Sequence, residues 1–329
     1  MTAQTILRPG LPAHAAHPLH DAGRDWPETN CYVDVWIEIL HALGLEPAAC
    51  LAFTLAVDFE GDQWTFHKPP HGDLTDLYGL VVDELTLWRP LVEHVEEQVA
   101  RGSLPLVEVD SFYLPDTAGS DYRENHVKTT IGVARIDRDL RTLQYFHNRG
   151  FHELGGPDFD GILRLDRPAP QDYLPPFAEI VKTGRLVRRP AEELRSLGLG
   201  LARRHAARIP AVNPFGAYEE RLARDVELLA AGGPRTYHLY SFASIRQFGS
   251  AAELASSFLR WLSAGQDPGL DEAAAEFAGI SQAGKALILK LARIAHSGRV
   301  RDLSPGVRDL AALWERGTGR VAAQWRCDR

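Results

Sequence analysis

Residues 104–148 read LPLVEVDSFYLPDTAGSDYRENHVKTTIGVARIDRDLRTLQYFHN, and the fold class follows from them. Three segments rich in β-branched and aromatic residues, 104–114, 126–137 and 142–148, have strand length and strand composition. The polar triplet Asp137-Arg138-Asp139 separates the last two, as in a hairpin with a short loop. A longer polar stretch, TAGSDYRENH, lies between the first two.

Upstream, Asp25-Trp26-Pro27-Glu28-Thr29-Asn30 ends in residues that cap helices. The run CYVDVWIEILHALG (31–44) then places Tyr32, Val35, Trp36, Ile39, Leu40 and Leu43 at helical spacing, and Gly44 stops it. This predicts a buried helix with Cys31 in its first turn. The first 25 or so residues, rich in Pro, His and Ala, read as an extended lead-in. Residues 51–68 read as mostly extended with a turn at Glu60-Gly61-Asp62, and helices are expected near 73–80 and 91–101.

Downstream the texture changes. The Pro-rich stretch RPAPQDYLPP (167–176) reads as a linker, and beyond it nearly everything is helical by periodicity, beginning with FAEIVKTG (177–184). The expectation is an α+β domain over 1–165 followed by a helical domain over 166–329. No fixed-period repeat or low-complexity tract interrupts it.

The chain has 329 residues, 45% hydrophobic and 24% charged, which is the balance of a globular protein. No apolar run approaches the ~18–20 residues of a membrane span, and the N-terminus has neither a basic start nor an apolar signal core. The three cysteines, Cys31, Cys50 and Cys327, are scattered and form no CxxC pair. A disulfide framework and a structural zinc are therefore not expected, and a reducing cytoplasm is. The abundance of Arg, Ala, Leu and Gly beside a single Met points to a GC-rich bacterial genome.

Net charge is −8, unevenly spread: 26 acidic and 12 basic residues over 1–165, against 18 acidic and 24 basic over 166–329. The second half is a candidate docking surface for an acidic partner, or simply a solvated Arg-rich helical face. The basic residues are spread over several helices without a nucleic-acid motif, so nucleic acid is not the expected partner.

Cys31 is the first candidate for chemistry. In a first helical turn, backbone N–H groups and the positive dipole end favour a thiolate; the alternative is a small core residue in an apolar helix. His126 opens a strand after a polar loop and can present its imidazole at the sheet rim. Asn148 ends the next strand at the same edge if the two form a hairpin, where it would orient the imidazole; otherwise it is a turn residue before Arg149-Gly150. His147, on the opposite strand face, is a second choice. The order Cys, His, Asn is that of papain-like enzymes. Asp110, at the end of an apolar strand, either accepts loop N–H groups, orients His126 or binds an amine substrate. Glu28 and Asp34 flank Cys31 and read as a cap contact and a structural residue, since a close carboxylate would raise the thiol pKa.

Other patterns are weaker. His14, His17 and His20 recur at three-residue spacing but lack accompanying ligands, so they read as lead-in rather than a metal site. Gln63, Trp64, His67 and Lys68 line a pocket or belong to the core. Ser281 and Lys285, at i and i+4, are a nucleophile pair or a solvated helix face.

The segments LVEVDSFYLPD (106–116) and ENHVKTTIGVARIDRDLRTLQYFHN (124–148) resemble the N-terminal domain of the butirosin biosynthesis protein H family. There, too, a strand ending in aspartate and a Tyr-Leu-Pro-like run precede a histidine that opens a strand, with a nucleophilic cysteine upstream on a helix. This likeness covers roughly residues 25–150. Nearly the whole chain is similar to an uncharacterised bacterial family with the signatures ETNCYVDVWIE, DFEGDQWTFHKPP and VDSFYLPDT. The distant resemblance implies a papain-like fold and acyl transfer. An aminoacyl group on the phosphopantetheine thioester of a carrier protein would pass to Cys31, with His126 as base and then acid, and leave to an amine or hydroxyl acceptor. Asp110 and Tyr113 match the family's aspartate and tyrosine and would shape the substrate site. No glutamine precedes Cys31 to complete a papain-type oxyanion hole, so the Cys31 N–H, helped by Asn30, would serve. The acidic carrier protein would dock on Arg188, Arg189, Arg203, Arg204 and Arg208. No metal or redox cofactor is implied. The rival expectations are a hydrolase using the same pair and a non-catalytic protein that binds a carrier protein or peptide.

Overall fold

The computed structural model describes residues 14–165 and 174–325. Cys327 and residues 167–173 of the Pro-rich stretch lie outside them. The chain divides into two compact units.

The first unit comprises residues up to Asp21, Asn30–Pro47 and Leu74–Arg188. Its helices are α1 (Cys31–Ala42), α2 (His71–Tyr78, from Leu74), α3 (Leu91–Ala100) and α4 (Pro157–Ile162). Its strands are β1 (Val81–Glu84), β2 (Ser103–Asp110), β3 (Lys128–Asp137), β4 (Thr142–His147), β5 (Gly150–Gly155) and β6 (Ala178–Lys182). They form one antiparallel sheet in the order β1-β6-β2-β3-β4-β5. The expected β3–β4 hairpin is present, with a register shift between Val133 and Arg135.

Alternation along the strands separates two covered faces. A Cβ on Gly132 would lie 2.9 Å from Ile39 of α1, so α1 packs on the side that carries Gly132, Leu104 and Leu106. Ile131, Val133, Val107 and Val109 point the other way, into a core with Val92, Val95 and Val99 of α3. Helix α1 is buried all round, including Asp34 and Glu38. The helix starts where expected, with Asn30 Oδ1 accepting the Val33 N–H at 3.0 Å.

Several expectations about local structure are corrected. The strand read over 104–114 ends at Asp110 and runs into a 3-10 helix, Ser111–Tyr113, and the strand read from His126 begins two residues later, at Lys128. FAEIVKTG is not helical: it contains β6, which pairs with β1 and β2. Four buried residues in the middle of a sheet gain ladder hydrogen bonds on both sides, and a short apolar run carries no period strong enough to oppose that. Residues 51–56 are not extended either. They continue a 3-10 helix, Pro47–Ala56, although the turn at Glu60–Asp62 is present, with Phe59 bridged to Trp64.

The lead-in is also more structured than composition implied. Pro18–His20 form a 3-10 turn and His20 is buried. Its ring sits between Glu38 and Asp34 (Nε2 to Asp34 Oδ1, 3.3 Å), while His14 Nε2 reaches the other Glu38 oxygen at 2.5 Å. Burial pulls the His20 imidazole down, but the hydrogen bonds to Asp34 and Glu38 outweigh it and raise it to about 9.

The second unit comprises Ala22–Thr29, Ala48–Asp73 and the chain from Arg189 onward. It holds α5 (Ala191–Ala206), α6 (Pro214–Ala243), α7 (Ile245–Ser263), α8 (Pro268–Ser297) and α9 (Ser304–Trp325). Helix α6 is broken at Gly233, which is followed by Pro234. Trp64 is a core residue here, with Phe215, Tyr218 and Phe248 at ring-centroid distances of 4.8, 5.5 and 5.0 Å. His67 is buried and stacks on Phe53. Ser281 donates to Asp25 at 3.1 Å, and Lys285 lies 4.4 Å from the centroid of the Trp26 ring, so this pair anchors segment 22–29.

Candidate site: a cleft with a His–Asp pair

Strand β2 ends at Asp110, and the chain turns at once through a 3-10 helix, Ser111–Tyr113. Asp110 Oδ1 makes this turn possible by accepting the Phe112 N–H at 3.1 Å. Its other oxygen, Oδ2, accepts from His126 Nδ1 at 2.6 Å. The imidazole lies flat on Phe112, with centroids 4.4 Å apart and planes at 14°. One carboxylate thus orders both the turn and the histidine, and the Phe112 ring fixes the plane. With Nδ1–H committed to the carboxylate, Nε2 carries the lone pair. That is the tautomer of a general base.

The pair is open to solvent, with side chains 66% exposed for His126 and 30% for Asp110. Both line a cleft of about 920 Å3 together with Tyr113, Glu108 and Lys128. Lys128 Nζ donates to Glu108 at 2.7 Å. The rest of the wall is largely apolar, from Leu91, Val109, Ile162 and Leu163, with Trp88 at the rim.

Of the residues expected from the sequence, Asp110, Tyr113 and His126 are therefore brought together. Cys31 opens α1 and is partly exposed, but it is not among the residues lining this cleft. Asn30 is buried and caps α1. Asn148 lies in the two-residue turn between β4 and β5, in a left-handed conformation (φ 47°). The polar partner of His126 is Asp110, which both accepts a loop N–H and holds the imidazole.

His147 belongs to a second cluster. Its Nδ1–H donates to Asp116 Oδ2 at 2.5 Å, its Nε2 accepts from Thr129 Oγ1 at 2.8 Å, and the Tyr145 hydroxyl donates to Asp116 Oδ1 at 2.5 Å. Burial raises the Asp116 carboxyl, but the hydrogen bonds from His147 and Tyr145 outweigh it and hold it below its usual range. Thr129 is only 6% exposed, so the cluster has the atom order of a relay without access for a substrate. It ties the loop after β2 to β3 and β4.

The arginines proposed for docking are mostly engaged. Arg188 donates to Leu43 O at 2.8 Å, Arg189 pairs with Glu193, and Arg204 lies 3.2 Å from Asp73. Arg203, Arg204 and Arg208 are exposed on or just after α5.

Reading the sequence alone missed Asp116, Trp88, and the Glu108–Lys128 pair. Asp116 does stand in the VDSFYLPDT signature, the one sign that could have singled it out. Among the described residues, no group of three or more His, Cys, Asp or Glu could hold a metal ion, and no helix is long and apolar enough to cross a membrane.

Compared with known proteins, no protein of curated function matches. Residues 15–183 match the DUF1839 N-terminal domain and residues 191–323 the DUF1839 C-terminal domain. The cleft and its His–Asp pair lie within the first of these, and with both domains matched the chain belongs to the DUF1839 family, a family of uncharacterised function.

Proposed function

We propose that this protein is a group-transfer enzyme whose general base is His126, and specifically a cysteine-dependent acyltransferase. The observation that carries the reading is the open His126–Asp110 pair at a cleft of ligand size. A thioester on the phosphopantetheine arm of an acidic carrier protein would meet the Cys31 sulfur. As His126 Nε2 removes the thiol proton, an S–C bond forms at the carbonyl carbon, and the carrier thiol departs carrying a proton. An amine or hydroxyl then attacks the acyl-enzyme, gives its proton to His126 and regenerates the thiol. Exchange between thioesters is nearly balanced in energy, so positioning and oxyanion stabilisation suffice.

Two features support a papain-like plan for the first unit: a cysteine at the N-terminus of a helix packed on an antiparallel sheet, and a base held at a strand entrance. Docking of the carrier on exposed Arg203, Arg204 and Arg208 belongs to the same proposal.

A second reading is favoured by the absence of Cys31 from the cleft wall. His126 would then activate the acceptor, or water, directly, with no acyl-enzyme. The experiment is intact-mass analysis of the chain after incubation with aminoacylated and acylated carrier proteins. A mass adduct that disappears in Cys31→Ala and slows in His126→Ala supports the thiol route. Turnover that survives Cys31→Ala but not His126→Ala establishes the direct one. No turnover, or turnover unaffected by His126→Ala, refutes both.

A further inference from the structure

The cleft walls carry information about substrate class, and this inference rests on the acyl-transfer reading above. The cations at the cleft have partners of their own. Lys128 is held by Glu108 at 2.7 Å, Arg89 by Glu97 at 2.7 Å, and Arg164 is engaged as well. Asp110 has both oxygens occupied, one by Phe112 N–H and one by His126. A charged ligand entering the cleft would compete with these contacts, whereas an uncharged apolar one would not.

The apolar features concentrate at the same place. Leu91, Val109, Ile162 and Leu163 form the wall, and Trp88 and Leu165 stand 78% and 38% exposed around it. A mostly apolar cleft with a few polar groups is the usual form of a small-molecule site. The volume falls within the about 300–1,000 Å3 of small-molecule sites, and the polar groups gather around His126, where a carbonyl would react.

We propose that the cleft seats an uncharged, apolar acyl group, aromatic or medium-chain aliphatic, lying against Leu91, Val109, Ile162 and Leu163 with its carbonyl toward His126. The acyl groups that the enzyme transfers are then hydrophobic ones, and glycyl or acetyl groups are poor substrates.

The test uses the full chain and unreactive probes: the N-methyl amides of acetic, butyric, hexanoic, octanoic and phenylacetic acids, titrated by calorimetry. Affinity should rise roughly three- to fourfold per methylene. The octanoic amide should bind at least as well as octanoate. Trp88→Ala and Leu165→Ser, both at exposed positions that leave the core intact, should each weaken the octanoic amide several-fold. Affinity independent of chain length, preference for the anion, or indifference to both substitutions would overturn the proposal. Its failure is separable from that of acyl transfer. Chain-length-dependent binding without any acyl transfer retires the catalytic reading alone, whereas equal rates with acetyl and octanoyl thioesters retire the apolar seat alone.

Discussion

Replacing His20 with glutamine should remove about 3 kcal/mol of the loss of stability that this protein suffers between about pH 6.5 and 9. His20 is wedged between two carboxylates of α1, Glu38 and Asp34, with its side chain out of solvent. Its neighbourhood also includes His14 and the His17 N–H on Glu38, and His41, whose ring is 5.0 Å from that of His17. The ring titrates at about 9, against an ordinary 6.5 in the unfolded chain. Between those values the folded state holds a proton that the unfolded state has lost. The contribution is therefore complete below pH 6.5 and disappears as pH rises through 9. The difference corresponds to about 3 kcal/mol, a large part of the roughly 5–15 kcal/mol typical of a domain. Glu38 reports the same contact from the other end. Burial raises it, but hydrogen bonds from His14 and His20 outweigh burial and lower it to about 2 from 4.5. That contribution is complete above pH 4.5 and is lost as pH falls through 2. Because the two describe one interaction they are not summed, and together they set a plateau between about pH 4.5 and 6.5. Urea unfolding at pH 6 and pH 9.5 measures the effect. The wild type should lose about 3 kcal/mol more between the two than His20→Gln does, since the other titrating groups are common to both. Parallel pH curves, or a His20 proton titrating near 6.5 by NMR, would refute the reasoning.

Asp110→Asn should leave the fold intact but deprive His126 of its tautomer, lowering kcat of the proposed acyl transfer on the order of 10²–10⁴-fold with little change in KM; steady-state kinetics decides. Asn30→Ala removes the cap from α1 and should cost about 1 kcal/mol in urea unfolding. Gly79→Ala should be far worse than Gly102→Ala. Both have positive φ, 69° and 80°, but a Cβ at position 79 would lie 2.1 Å from the Arg185 carbonyl oxygen while position 102 is open. Thermal unfolding should show a loss of about 1–2 kcal/mol at Gly102 and about 3 kcal/mol or more at Gly79.

What was legible depended on range. Helix α1 could be read with its ends because Asn30 and Gly44 act within a few residues, and β2, β3 and β4 because their composition and the short turn at 137–139 are local. The β6 strand could not, since Ile180 and Val181 acquire their conformation from β1 and β2 on either side. Likewise His14 and His20 looked like lead-in residues because Glu38 and Asp34, which hold them, lie on a helix that begins eleven or more residues later.

The candidate site divides the same way. Residue types and order alone brought forward His126 and Asp110, because a histidine at the approach to a strand and an aspartate closing another are local patterns, while Tyr113 came from the family resemblance. Only the tertiary structure decided that Asp110, rather than Asn148, meets the imidazole, and that Asn148 serves a turn. Strand pairing places Asp110 opposite Lys128 and so beside residue 126, whereas the β4–β5 turn carries Asn148 in a left-handed conformation. The register of a sheet brings together residues far apart in sequence, and a single chain read in order does not contain that register.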